Sequence, residues 1–273
     1  MFQKSLPLAF IGLVLADSAS ASVYMLNFGN GGSAANVPTT EAEQKNSPYH
    51  IENPSFTGTT WNNLLLADAT GITDATGVGP TLSVNLGIAS NATGSTLVNL
   101  ATNPSASSAL TGAAFSTGVY ADNSVGRYGI LCNSSGNKFT TNHQAVGVQI
   151  SGLAAGVYEI YTLTRNTNTS TAQSFSVYVG TSASTGNFDF AGYANESISM
   201  STGANTAWVD GANYLKQTVT IGENEALNIA VDGTVGQSRG FLNAIQIVQV
   251  PEPSSLLLLA PAIAGLAFRR KRA

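Results

Sequence analysis

The chain has 273 residues, of which only 10% are charged, and 11 Lys and Arg stand against 15 Asp and Glu for a formal net charge of −4. So few cations argue against a nucleic-acid partner, which needs positive charge clustered on one face. Cys132 is the single cysteine, so no intrachain disulfide is available, and a body of this length has to be stabilised by its own core.

In chain order, Met1 to Ala21 reads as a secretory signal peptide. Lys4 supplies the positive start and Leu6 to Leu15 the apolar run. Ala19-Ser20-Ala21 supplies a small-residue cleavage site, with the cut expected after Ala21. Val23 to Phe28 predicts a strand ended by Gly29-Asn30-Gly31-Gly32. A polar, Pro-containing stretch to Thr60 predicts a long loop, and Trp61 to Ala67 a second strand. Leu82, Val84, Leu86 and Ile88 alternate with polar or small residues, the pattern of a half-buried strand. Residues 90–118 are rich in Ser, Thr, Ala and Gly, with a short helix expected around Ser105 to Leu110.

The second half is plainer. Val146 to Ile150, Val157 to Thr164, Phe175 to Val179, Val219 with Ile221, Leu227 to Val231 and Phe241 to Val248 all read as strands separated by Gly and Asn turns. No sustained 3.6-residue period runs between residues 120 and 250. The fold class is therefore all-β: an antiparallel β-sandwich of jelly-roll type, flanked by an N-terminal signal helix and a short C-terminal hydrophobic helix. The first strand and the last are expected side by side in one sheet. The domain reading is 1–21 signal peptide, 22–249 β-sandwich and 250–273 sorting and anchor segment.

The end of the chain has its own grammar. Pro251-Glu252-Pro253 is followed by an uncharged apolar run from Ser254 to Phe268 and then by Arg269-Arg270-Lys271-Arg272. Fifteen helical residues reach about 22 Å, short of a hydrocarbon core of about 30 Å. Pro261 weakens the run further. The basic end resists translocation, which places the body outside and the tail inside. This arrangement resembles the PEP-CTERM sorting signal of exported bacterial proteins. The resemblance implies that a membrane-embedded exosortase recognises Pro251, Glu252 and Pro253 and removes the tail, a transient anchor at the inner membrane. The protein would then reach the cell surface or the extracellular space. "LNFG" at Leu26, "WNNL" at Trp61, "ISGLAAGVYEIYTL" at Ile150 and "LNAIQIV" at Leu242 also look like PEP-CTERM surface proteins and like galactose-binding-like jelly rolls of carbohydrate-active proteins.

Without its signals the body, residues 22–253, holds 6 Lys and Arg against 14 Asp and Glu, a net charge of −8. Searching it for chemistry finds no phosphate loop, no nucleophile elbow and no metal spacing around His50 and His143. No catalytic residue and no cofactor is assigned. Calcium is the cation its loop oxygens would suit, with Glu41 and Glu43 as the candidate ligands. Sugar recognition would use a flat aromatic face beside amides or carboxylates: Trp61 with Asn62 and Asn63, and Trp208 with Asp210. The alternative for each indole is a place in the sandwich core.

Two functions follow. One is a non-enzymatic surface or matrix protein associated with extracellular polysaccharide. The other is a secreted polysaccharide hydrolase or lyase, which would require two carboxylates converging in a groove.

Overall fold

The computed structural model describes residues 21–29, 37–89, 95–106, 118–121, 123–132, 145–166, 173–200, 206–233 and 239–251. Most of the signal segment, with Ala19, and the tail beyond Pro251 lie outside them. So do Glu252, Pro253 and Arg269 to Arg272, and both expected flanking helices.

The elements are β1 (Val23–Phe28), α1 (Glu41–Gln44), α2 (Pro48–Glu52), β2 (Asn62–Leu64), β3 (Ala69–Ile72), β4 (Leu82–Ala89), β5 (Leu97–Asn99) and β6 (Ser105–Ala106). After a 3₁₀ turn at Gly118–Tyr120 come β7 (Ile130–Leu131), β8 (Ala145–Ser151), β9 (Gly156–Leu163), β10 (Gln173–Ser182), β11 (Phe188–Asp189) and β12 (Ala194–Met200). The last are β13 (Leu215–Ile221), β14 (Ala226–Gly233), β15 (Phe241–Leu242) and β16 (Ala244–Gln249).

Ala21–Val250 forms one compact body. Among the described residues, one sheet runs β13-β9-β16-β1-β2. A second runs β11-β5-β4-β8-β14-β10-β12, with β3 also on β4, and a third, of short strands, runs β15-β7-β6. Pairing is antiparallel throughout except for β1 with β2, which are parallel. The inner faces carry the alternating apolar residues. Leu26, Ile160, Ile245 and Ile247 from the first sheet and Val84, Val148, Val177 and Ile229 from the second are fully buried in one core. Phe188 and Phe190 cover the outer face of the second sheet with Val98 and Ala230.

The sandwich matches the expected class, and β1 lies beside β16 with Tyr24 opposite Ile247. Four local expectations need correction. The loop before Thr60 contains α1 and α2. Within Trp61 to Ala67 only Asn62–Leu64 is strand. Ser105–Ala106 is a strand rather than the start of a helix, and the remainder of that expected helix lies outside the described residues. Phe241 to Val248 is two strands, because Asn243 breaks the run. Its side-chain oxygen accepts from Arg165 N at 2.6 Å, and its amide donates to the Gly126 and Tyr128 carbonyls at 3.2 and 2.8 Å. Gly29, at φ 79°, closes β1 where a Cβ would collide with the Gly129 backbone, so the glycine in "LNFG" is a steric requirement.

Candidate functional site

Side chains alternate across a strand, so Glu159 and Tyr161 of β9 point to one face. Register then lines up Met25, Gln246, Tyr161 and Lys216 across four neighbouring strands. Gln246, Tyr161 and Lys216 of this row reach the 47–52 segment, so this outer face is the floor beneath α2.

Pro48 opens α2, as its fixed φ favours at a first helical position. Ser47 sits at the N-cap but makes no capping bond. Its hydroxyl goes to His50 Nδ1 at 2.7 Å, while Gln246 Nε2 donates to it at 3.0 Å. His50 Nε2 lies 2.8 Å from the Gly58 carbonyl, which fixes the proton on Nε2 and makes Nδ1 the acceptor. Burial pushes the His50 pKa down, opposed by the bond to Gly58. Ser47 is fully buried, so this serine–histidine pair meets no substrate and serves to hold α2 down.

At the other end of α2 stands Glu52. Its Oε1 accepts from Tyr214 Oη at 2.6 Å. Its Oε2 accepts from Tyr161 Oη at 2.8 Å and from Lys216 Nζ at 3.0 Å. Glu159 Oε2 accepts from the same two groups, at 3.3 Å from Tyr161 and 3.0 Å from Lys216. The Lys216 ammonium also lies 5.1 Å from the centre of the Tyr161 ring. The Tyr161 ring stacks on Tyr214 and meets Tyr49 edge-on. About a third of each charged side chain remains in solvent: 32% for Glu52, 30% for Glu159 and 29% for Lys216.

Two carboxylates thus converge, as a hydrolase would require, but a lysine and a tyrosine hydroxyl sit between them. Burial raises the Glu52 pKa, yet hydrogen bonds from Tyr214, Lys216 and Tyr161 outweigh it and hold the carboxyl below its ordinary value. Burial, with Glu52 and Glu159 alongside, pushes Tyr161 far up. Lys216 loses hydration but is raised overall by its two glutamates. A general acid needs a raised carboxyl pKa; Glu52 is tuned the other way.

The residues singled out in the sequence fall elsewhere. Trp61 is 7% exposed and donates to the Gln44 carbonyl at 2.9 Å. Trp208 is 8% exposed, donates to Asn46 Oδ1 at 3.0 Å and packs edge-on against Tyr120. Neither ring offers a face to a sugar, so the exposed-platform expectation is corrected: both indoles clamp the 44–46 segment from inside. Asn62 bonds the Met25 and Thr73 backbone, and Asn63 takes a bond from Asn27 at 3.0 Å. Asp210 is exposed, and its carboxylate accepts from Lys216 N at 3.1 Å.

Glu41 and Glu43 are also accounted for. Glu43 and Thr40 form a capping box on α1, and the bonds from the Thr40 and Thr39 backbone pull the Glu43 pKa down to about 2. Its other oxygen takes Asn123 Nδ2 at 3.3 Å. Glu41 pairs with Lys45 at 2.6 Å. The two carboxylates cap and brace a helix, which corrects their reading as a cation pair. Among the described residues no group of three or more His, Cys, Asp or Glu could hold a metal ion. The Glu52–Lys216–Glu159 cluster escaped the sequence reading. The i, i+2 pair Glu159 and Tyr161 within "YEIY" was its one visible trace.

The geometry defines an all-β sandwich with one face sealed by a latched helix. The protein to which it belongs is marked by its end: residues 249–272 match the PEP-CTERM protein-sorting motif. The motif implies an exported protein that an exosortase-type enzyme processes. No curated protein matches the chain. Solved structures similar to it include the protein YXIM of Bacillus subtilis, at 14% identity and TM-score 0.34, covering 84% of this chain and 40% of that one. TmCBM61 in complex with β-1,4-galactotriose matches at 12% identity and TM-score 0.22, over 45% and 72% of the two chains. An exo-β-1,3-galactanase from Phanerochaete chrysosporium with galactose matches at 16% identity and TM-score 0.23, over 62% and 29%. The chain therefore spans well under half the length of the Bacillus protein.

Among the described residues no helix is long and apolar enough to cross a membrane. The apolar run Ser254 to Phe268 lies outside them.

Proposed function

We propose that the protein is a non-enzymatic component of the cell surface or extracellular matrix, held briefly at the membrane by its tail and associated with extracellular polysaccharide once released. The sorting motif that begins at the last residue of the last strand is the observation that carries this reading. The surface chemistry supports the polysaccharide partner. Along the edge strand β12, Ser199 and Ser197 meet Ser174 and Ser176 of β10 at 3.2 and 3.3 Å, beside exposed Asn195. Exposed Glu196 of the same strand points to the opposite face, and this row of hydroxyls and an amide suits neutral sugars, which an acidic body does not repel. Purified body, residues 22–250, passed over the host's own exopolysaccharide should be retarded, and replacing Ser197 and Ser199 with Glu should abolish the retention. Elution with the void volume from every glycan tried would remove polysaccharide from the proposal.

A hydrolase is the second reading, favoured by the convergence of Glu52 and Glu159. It requires that the parent release reducing sugar from a polysaccharide and that Glu52→Gln and Glu159→Gln each abolish the release. Equal yields from parent and variants would exclude it.

A further inference from the structure

The ladder of β16 runs to the very edge of the sorting motif. Gln249 is opposite Tyr158 of β9, and its N–H donates to the Ser22 carbonyl at 2.9 Å. The Val250 N–H donates to the Val157 carbonyl at 2.8 Å. Pro251, the first residue past this last bond, is exposed. The motif match begins at residue 249, inside the strand.

Three extended residues reach no more than about 10 Å, so an enzyme that grips Pro251 to Pro253 must stand within that distance of the strand end. Three turns share this pole with the strand end. Asp74 to Thr81 is tied to β1, with Ala75 N–H on the Val23 carbonyl and Tyr24 Oη on the Pro80 carbonyl. Gly152 to Ala155 leads into Gly156, which borders the Gln249 side chain. Gly222 to Glu225 follows Ile221, the partner of Gly156. Val78 at 67% exposure, Ala154, Ala155 and Glu223 are open to solvent. The turns carry three acids, Asp74, Glu223 and Glu225, and no Lys or Arg.

We propose that this pole is a docking surface for the exosortase-type enzyme, so that the enzyme reads the folded body as well as the tail. The proposal rests on the sorting reading above. Its partner is fixed by the shortness of the chain from Val250 to Pro253, which brings an enzyme bound to Pro251–Pro253 up against the turns. A bulky or charge-reversed side chain on the turns must then hinder processing, and a spacer must relieve the hindrance.

The full chain is expressed in a host that processes it, and precursor and processed forms are followed after a pulse of label. Ala155→Trp and Glu223→Arg should each slow processing about tenfold, the scale of losing one well-packed contact. Leu65→Trp, exposed beyond β2 at the opposite end of β1, should process at the parental rate. Ten Gly and Ser residues inserted between Val250 and Pro251 should return both slow variants to the rate of the spacer-bearing parent. Thermal melting of each purified body checks the fold, and Ala154→Trp takes the place of Ala155→Trp if that variant melts early. Parental rates for both turn variants, or slowing that the spacer leaves intact, overturn the proposal. Absence of any processed form of the parent overturns the sorting reading and the proposal with it.

Discussion

His50 is buried and neutral, with its Nε2–H on a carbonyl and its Nδ1 taken by Ser47. Burial lowers its folded pKa below the unfolded value of about 6.5, so the unfolded chain takes up a proton first. The stability His50 confers is therefore complete above about pH 6.5 and is lost as pH falls toward its folded pKa. Glu52, also lowered, keeps its contribution down to about pH 4.5 and loses it only below that. Acidification from pH 7 to 5 should thus lower the urea midpoint, and His50→Gln should flatten that slope while the loss below pH 4.5 stays. A slope unchanged by His50→Gln would assign the effect to other groups.

At the scale of the element, α2 is five residues long and could not persist alone, since isolated helices need about 12–15 residues. It is held by Gln246 and Ser47 at one end and by Glu52 at the other. Lys216→Met would leave Glu52 and Glu159 side by side with no cation between them. The pair is partly solvated, so the cost should be about 1 kcal/mol, read from urea unfolding. In 1 M NaCl the parent should lose part of that margin and the variant should not, because screening acts on the ion pairs only the parent has. These elements show what the sequence could convey. Long strands such as Leu82–Ala89 and Ala226–Gly233 announce themselves by alternation or by an apolar run. β5 and β11 do not, since two or three residues hold too little pattern. α1 and α2 hide in a polar stretch because tertiary partners, not periodicity, hold them. Glu159 and Tyr161 are legible as neighbours on a face, but Glu52 joins Tyr161 from 109 positions away, and nothing local encodes that meeting. Trp61 and Trp208 were ambiguous for a similar reason: an indole beside amides reads alike whether it stacks on a sugar or donates to a buried carbonyl.

For the whole molecule, the full chain and residues 22–253 differ in charge, −4 against −8. Four of the precursor's cations lie in Arg269 to Arg272. Replacing those four with Gln should leave the body's melting temperature unchanged and, if the tail anchors as proposed, free it from the cytoplasmic side. The chain should then appear in the medium at precursor size. Membrane retention and normal processing of that variant would show the basic end to be dispensable. The same four changes made in the body would act on stability, so the two outcomes separate address from architecture.

The place of β16 also sets a clock. It lies between β9 and β1 in the middle of its sheet, although it is the last strand in the chain. Until residues 244–249 have been made, β1 and β9 have no common neighbour and the first sheet remains two fragments. Such long-range pairing is slow to form, because the loop must close before any contact rewards it. A chain truncated before Ala244 would lack its keystone, whatever the merit of the strands preceding it. The sandwich is therefore finished only when synthesis has reached the threshold of the sorting motif. Completion of the body and appearance of the sorting motif fall at the same moment in the life of the chain.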